Sequence, residues 1–212
     1  MKQLVAAASF AATFGICAAA ANAASIDMND PRRALGREGD VRVDAQLVSE
    51  TVGHGAPIIV TWQIQNFTEL PVAVATRVID ASYDADSRTI TVAIGSEVPD
   101  EGNMPEMTLV AAGEKKVFRS AASLAISPAA LRGSRGGAPR FVQVKVSILR
   151  DLDPFAAMIE TQTPDAPPQR LSDALFEQWF ESTDTIFLNT LPVQWTGRMT
   201  SRRDAEYRGG RF

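Results

Sequence analysis

His54 is the only histidine in the chain and lies between two glycines, where backbone freedom would let an imidazole meet a ligand. The same run, Gly53-His54-Gly55-Ala56-Pro57, is turn chemistry, and an exposed turn is the expectation for it. A zinc site would need three further ligands, and Cys17 is the only cysteine, so metal binding would fall to oxygen donors. Asp80, Asp84 and Asp86 form one acidic group, and Glu97, Asp100, Glu101 and Glu106 form another. Neither follows the Asp-x-Asp-x-Asp-Gly spacing of a calcium loop, and aspartate is common in turns for its own backbone hydrogen bonds. No metal and no cofactor are expected.

Glycoside hydrolysis takes two carboxylates held across a sugar. Glu177, Glu181 and Asp184 lie near Trp179 and Phe180, which would serve as a sugar platform; the same pattern reads as an amphipathic helix with an acidic polar side. Serine chemistry lacks a Gly-x-Ser-x-Gly elbow, and a triad would have to recruit His54 from its glycine turn. The glycine loop at 133–137 has no following Lys-Thr or Lys-Ser and leads into a strand, unlike a phosphate-binding loop. Asn66-Phe67-Thr68 matches a glycosylation acceptor and is taken as a chance match. The expectation is a protein that is not an enzyme. Its candidate partner contact is the aromatic set Phe176, Trp179 and Phe180, residue types that anchor interfaces.

The N-terminus carries an export signal. Lys2 precedes an uncharged small and apolar run from Leu4 to Ala21, and Ala21-Asn22-Ala23 offers a cleavage site. Residues 1–23 therefore read as a signal peptide, and Cys17, preceded by the bulky Ile16, as part of it. Cleavage would remove Lys2 and no acid, moving the formal charge from −4 to −5. That acidity argues against a nucleic-acid partner, and no membrane-spanning segment is expected once the signal is gone. A periplasmic or secreted location follows. Seventeen arginines against four lysines fit the codon usage of a GC-rich bacterial genome.

The elements that would position these residues are mainly strands. Residues 24–40 show no hydrophobic period and read as a flexible lead-in. Strict alternation begins at Val41, Val43, Ala45 and Leu47, returns at Ile58, Val60, Trp62 and Ile64, and again at Ile90, Val92 and Ile94. Pro71 opens a strand with Val72, Val74 and Val78 inward, 107–111 and 117–126 are weaker candidates, and Val142, Val144, Val146 and Ile148 make the clearest strand. Residues 151–170, with four prolines, read as a linker or wrapped loop. A short helix fits 171–182, capped by Ser172 and stapled by Leu171 on Phe176. A late returning strand covers 185–191 and 193–196, bent at Pro192, and 197–212 is an Arg-rich tail expected to be disordered. The domain thus spans 41–196 as an antiparallel β-sandwich with one short C-terminal helix.

Trp62-x-Ile64-x-Asn66-x-Thr68-x-x-Pro71-Val72 resembles the strand-turn-strand opening of immunoglobulin-like modules in secreted bacterial proteins. Ala112-Gly113-Glu114 before Val117-Phe118 is similar to the turn preceding a later strand in them. With the strand at 141–149, the resemblance covers about residues 41–150 and implies binding, assembly or inhibition rather than catalysis; it carries over no site residue. The leading expectation is an exported binding or assembly module that contacts a protein or another envelope component. Its alternatives are a carbohydrate-binding or carbohydrate-active protein, and a proteinase inhibitor presenting loop 53–57 or 133–139.

Overall fold

The computed structural model describes residues 26–27, 29–30, 32–77, 79–124, 126, 131, 137–163 and 167–196. The expected signal peptide, Val78, most of the glycine loop and the Arg-rich tail lie outside the described residues. The strands in chain order are β1 (Arg33–Glu38), β2 (Val41–Leu47), β3 (Thr51–Val52), β4 (Ile58–Asn66), β5 (Val72–Val74), β6 (Ile79–Asp84), β7 (Thr89–Ile94) and β8 (Asn103–Met104). They continue with β9 (Thr108–Val110), β10 (Lys115–Ala122), β11 (Phe141–Leu149), β12 (Gln169–Arg170), β13 (Thr183–Phe187), β14 (Leu191–Pro192) and β15 (Gln194–Trp195). Helix α1 (Ala156–Thr161), helix α2 (Asp173–Ser182) and short 3₁₀ turns at Asp100–Gly102 and Asp153–Phe155 accompany them.

The protein is mainly β, with several sheets. One sheet runs β1-β2-β4-β10, all antiparallel. A second runs β6-β7-β11-β5-β9, and β13 and β14 also pair with β11. The alternating residues do what their period dictates: the inward sides of β2, β4, β7 and β11 all enter one core, so both sheets bury apolar surface against the same cluster. Trp62 is fully buried there, stacked on Phe118 at 4.5 Å, and its indole Nε1 donates to Ser120 Oγ at 3.0 Å.

Asn66 ends β4 wholly buried. Its Nδ2 donates to the carbonyls of Leu70, Val110 and Ala111 at 2.8, 3.1 and 3.2 Å, while Oδ1 accepts from Thr68 N at 2.9 Å. The acceptor-like triplet is therefore a structural turn whose amide ties the first sheet to β9 of the second, and that amide is closed to a glycan.

Four sequence expectations are corrected. The lead-in at 24–40 contains β1, whose buried positions are only Ala34 and Gly36 and so leave no apolar alternation to read. Gly36 is needed because β1 lies on β13: a Cβ there would sit 2.7 Å from both Phe187 O and Ile186 Cγ2. Asn189 fastens the same edge, its Oδ1 accepting from Leu35 N at 2.6 Å and its N–H donating to Leu35 O at 3.2 Å. Pairing is not antiparallel throughout, since β7 and β11 run parallel, as do β3 and β15. The Pro-rich stretch 151–170 holds α1 and β12, with Pro154 placed in a first turn of 3₁₀ helix, where its missing N–H costs nothing. The returning strand begins at Thr183, directly after α2, and divides into β13, β14 and β15.

Candidate functional site

Helix α2 starts where the sequence indicates: Ser172 caps it, its Oγ accepting from Leu175 N at 3.3 Å. The helix packs on a second, smaller core built from Ala73, Met104, Leu149, Phe155, Leu171 and Trp179. Trp179 is 1% exposed, its ring meets Phe155 edge-on at 5.6 Å, and its Nε1 donates to Ser96 O at 3.2 Å. Of the three residues expected to form a partner contact, Trp179 is thus an interior residue, because the loop after β7 and Phe155 cover it. Phe176 is half-buried and Phe180 is 47% exposed, their rings edge-to-face at 5.2 Å. Of the candidate contact, this phenylalanine pair is what remains near the surface.

Burial of Trp179 leaves Phe180 as the exposed half of the expected sugar platform. Glu177 and Glu181 are exposed, and Asp184 accepts from Arg150 Nε, so the three carboxylates are not gathered on an aromatic face. At the C-terminal end of α1, a cleft of about 320 Å³ is lined among others by Arg77, Asp100, Met104, Glu106, Gln162 and Pro168. Arg77 pairs with Glu106 at 2.6 Å on its wall. Gln162 holds the wall in place: its Nε2 donates to Pro105 O at 2.9 Å and its Oε1 accepts from Met107 N at 2.9 Å, imitating a strand partner. Nothing in the sequence pattern marks Gln162 for this.

The remaining candidates disperse. His54 is exposed in its turn, where Ala56 N donates to Gly53 O at 3.2 Å and Gly55 takes φ +71°. Asp84 Oδ1 accepts from Asp86 N at 3.0 Å and Oδ2 from Ser87 Oγ at 2.7 Å; these bonds, led by the hydroxyl, hold its carboxyl below the ordinary value. Among the described residues no three His, Cys, Asp or Glu side chains gather as a metal ion would need.

Glu97 bridges Lys145 Nζ at 2.9 Å and Thr185 Oγ1 at 3.0 Å, and chiefly the Lys145 contact lowers its carboxyl below its ordinary 4.5, against partial burial. A depressed folded-state value means stabilisation that is complete above the unfolded-state value and is lost as pH falls through the folded one. Glu97→Gln is expected to cost under about 1 kcal/mol at neutral pH, the pair being half-exposed. Urea unfolding at several pH values should show a shallower acid limb in this variant. The limb that persists at lower pH belongs to groups such as Asp30, which its Arg32 contact holds at about 2.

The side of the first sheet turned away from the core carries Arg33, Arg37, Arg42, Lys115 and Arg119, in registers that place them together. The one carboxylate borne by its strands is Asp44, 1% exposed, which receives Arg42 Nε and Nη2 at 3.0 Å each, Arg33 Nε at 3.3 Å and Gln63 Nε2 at 3.1 Å; Asp30 reaches the margin from the preceding turn, accepting from Gln46 Nε2 at 2.5 Å. Sequence reading missed this face because two of its cations lie in the supposed lead-in. The polar sides of β2 and β10 were its only signal.

Comparison with known proteins finds no match: no family model, no curated protein and no solved structure resembles the chain.

Proposed function

We propose that this chain is an exported, non-enzymatic binding or assembly module, an immunoglobulin-like β-sandwich in the periplasm or outside the cell, that contacts a protein of the envelope through α2. The observation that carries the reading is the Phe176–Phe180 pair, Phe180 exposed and Phe176 half-buried, on a helix anchored to the second core by Trp179. An aromatic pair on a rigid mount has little rotamer freedom left to lose on docking, which is what makes such residues effective anchors. The two sheets that share one core support the sandwich, and Lys2 with the apolar run after it supports export. Among the described residues no helix is long and apolar enough to cross a membrane.

Crosslinking in living cells followed by mass spectrometry of the attached proteins tests the reading. Phe180→Ala is expected to weaken the contact by about tenfold, as loss of a moderate anchor does, and so to deplete one specific adduct. Glu177→Ala, on the same helix, should leave that adduct in place. No reproducible protein adduct, or one indifferent to Phe180→Ala, would overturn it.

A further inference from the structure

We infer that the outward face of the four-stranded sheet binds an anionic polysaccharide of the polyuronate kind, independently of the contact proposed for α2. Strand register sets its side chains in three rows across β1, β2, β4 and β10. One row is Arg37, Arg42, Gln65 and Lys115; the next is Leu35, Asp44, Gln63 and Val117; the next is Arg33, Gln46, Thr61 and Arg119. Three strand spacings make each row about 14 Å long, and the two cationic rows lie about 13 Å apart.

Acids outnumber bases in the chain by 25 to 21, yet the strand positions of this face set five cations against one carboxylate, with Asp30 at the margin already paired to Arg32 at 2.6 Å. Asp44 is shared by Arg33 and Arg42, and Arg37 also reaches Asp40 in the hairpin turn at 3.1 Å. Lys115 and Arg119 are exposed and have no ion pair recorded among the described residues. The field of the face is therefore positive and open at its β10 side.

The distribution of groups selects the partner. A protein partner would look for an apolar or aromatic centre, and the centre here is a buried carboxylate held by guanidinium groups. A bilayer would reward apolar side chains that enter it, and Leu35 is the only strongly exposed one in the three rows. A polyuronate brings a carboxylate on each sugar with hydroxyls between. Each cationic row offers a matching set, guanidinium or ammonium groups interleaved with the Gln65 amide in one and the Thr61 hydroxyl in the other, where the Gln46 amide already donates to Asp30. Arginine forks take carboxylates two bonds at a time.

Polygalacturonate titrated into the purified protein at low salt tests this, with dextran as the uncharged control. Binding is expected to polygalacturonate alone, to weaken steeply with added sodium chloride, and to fall at least about tenfold in the double variant Lys115→Ala/Arg119→Ala, since each removes a charge-assisted contact. Lys115→Arg should retain affinity, Phe180→Ala should leave it unchanged, and the double variant should unfold at the parent's urea midpoint. No binding at low salt, or binding that the double variant leaves intact, overturns the inference. So does retention on phosphatidylglycerol vesicles that depends on Lys115 and Arg119 and that polygalacturonate fails to displace; the face would then be a lipid surface.

Discussion

Trp179→Ala is expected to destabilise the protein by about 3–5 kcal/mol, the range for truncating a large buried aromatic. It is also expected to release α1 and α2 from the β body. Three contributions vanish together: the apolar area of an indole 1% exposed, the edge-on contact with Phe155, and the bond that satisfies Ser96 O. The second core holds few other large side chains, so the cavity left behind would be shared by Phe155, Met104 and Leu171, which have little else to close on. Hydrogen exchange should show faster amides in α1 and α2 while β2 and β4, which lean on Trp62, stay protected. Helix amides as protected as in the parent, with a loss below about 1 kcal/mol, would contradict the packing described. This effect is why Phe180→Ala, not Trp179→Ala, tests the proposed partner contact: removal of Trp179 would move the helix that carries it.

Gly95→Ala should cost about 2–5 kcal/mol, measured as a shift of the urea midpoint at constant slope. Two penalties add. Gly95 has φ +85°, where an L side chain costs about 1–2 kcal/mol. Its Cβ would also lie 2.7 Å from Ser147 O, a backbone atom of the central strand that has no rotamer to escape into, an overpacking cost of about 1–3 kcal/mol. Gly55 provides the comparison, with φ +71° and nothing within 4 Å of an added Cβ, so alanine there should incur the conformational part alone. Because Gly95 precedes the residue whose carbonyl receives Trp179, the two substitutions should be non-additive when combined. An effect of Gly95→Ala no larger than that of Gly55→Ala would mean that the chain passes Ser147 less closely than 2.7 Å implies.

The strands that were legible in the sequence are those whose own residues carry the signal. β2, β4, β7 and β11 alternate because one side faces the core, and Ser172 announces α2 through its hydroxyl. β1 was not legible, since its two buried positions are alanine and glycine and its place is dictated by Asn189 and β13, about 150 residues away in sequence. The parallel pairing of β7 with β11 was equally hidden, because period-2 alternation is the same for either direction of the partner. At the candidate site, helical spacing placed Phe176, Trp179 and Phe180 near one another. It did not say which of them the rest of the chain would cover; that depends on Phe155 and on the loop at Ser96. The basic face is a property of register across four strands, and no single segment displays it.

β11 also imposes a delay on the growing chain. One edge of it pairs with β7 and β5, which are made earlier; the other waits for β13 and β14, which end at Pro192. The 43 residues from Leu149 to Pro192 take about 2–9 s to emerge at about 5–20 residues per second. Throughout that interval a nine-residue strand, buried at six positions in the finished fold, shows an unpaired row of N–H and C=O groups, a template on which a second unfinished chain can pair. Slower synthesis lengthens that exposure, and a chain ending between β11 and β13 keeps the edge open permanently.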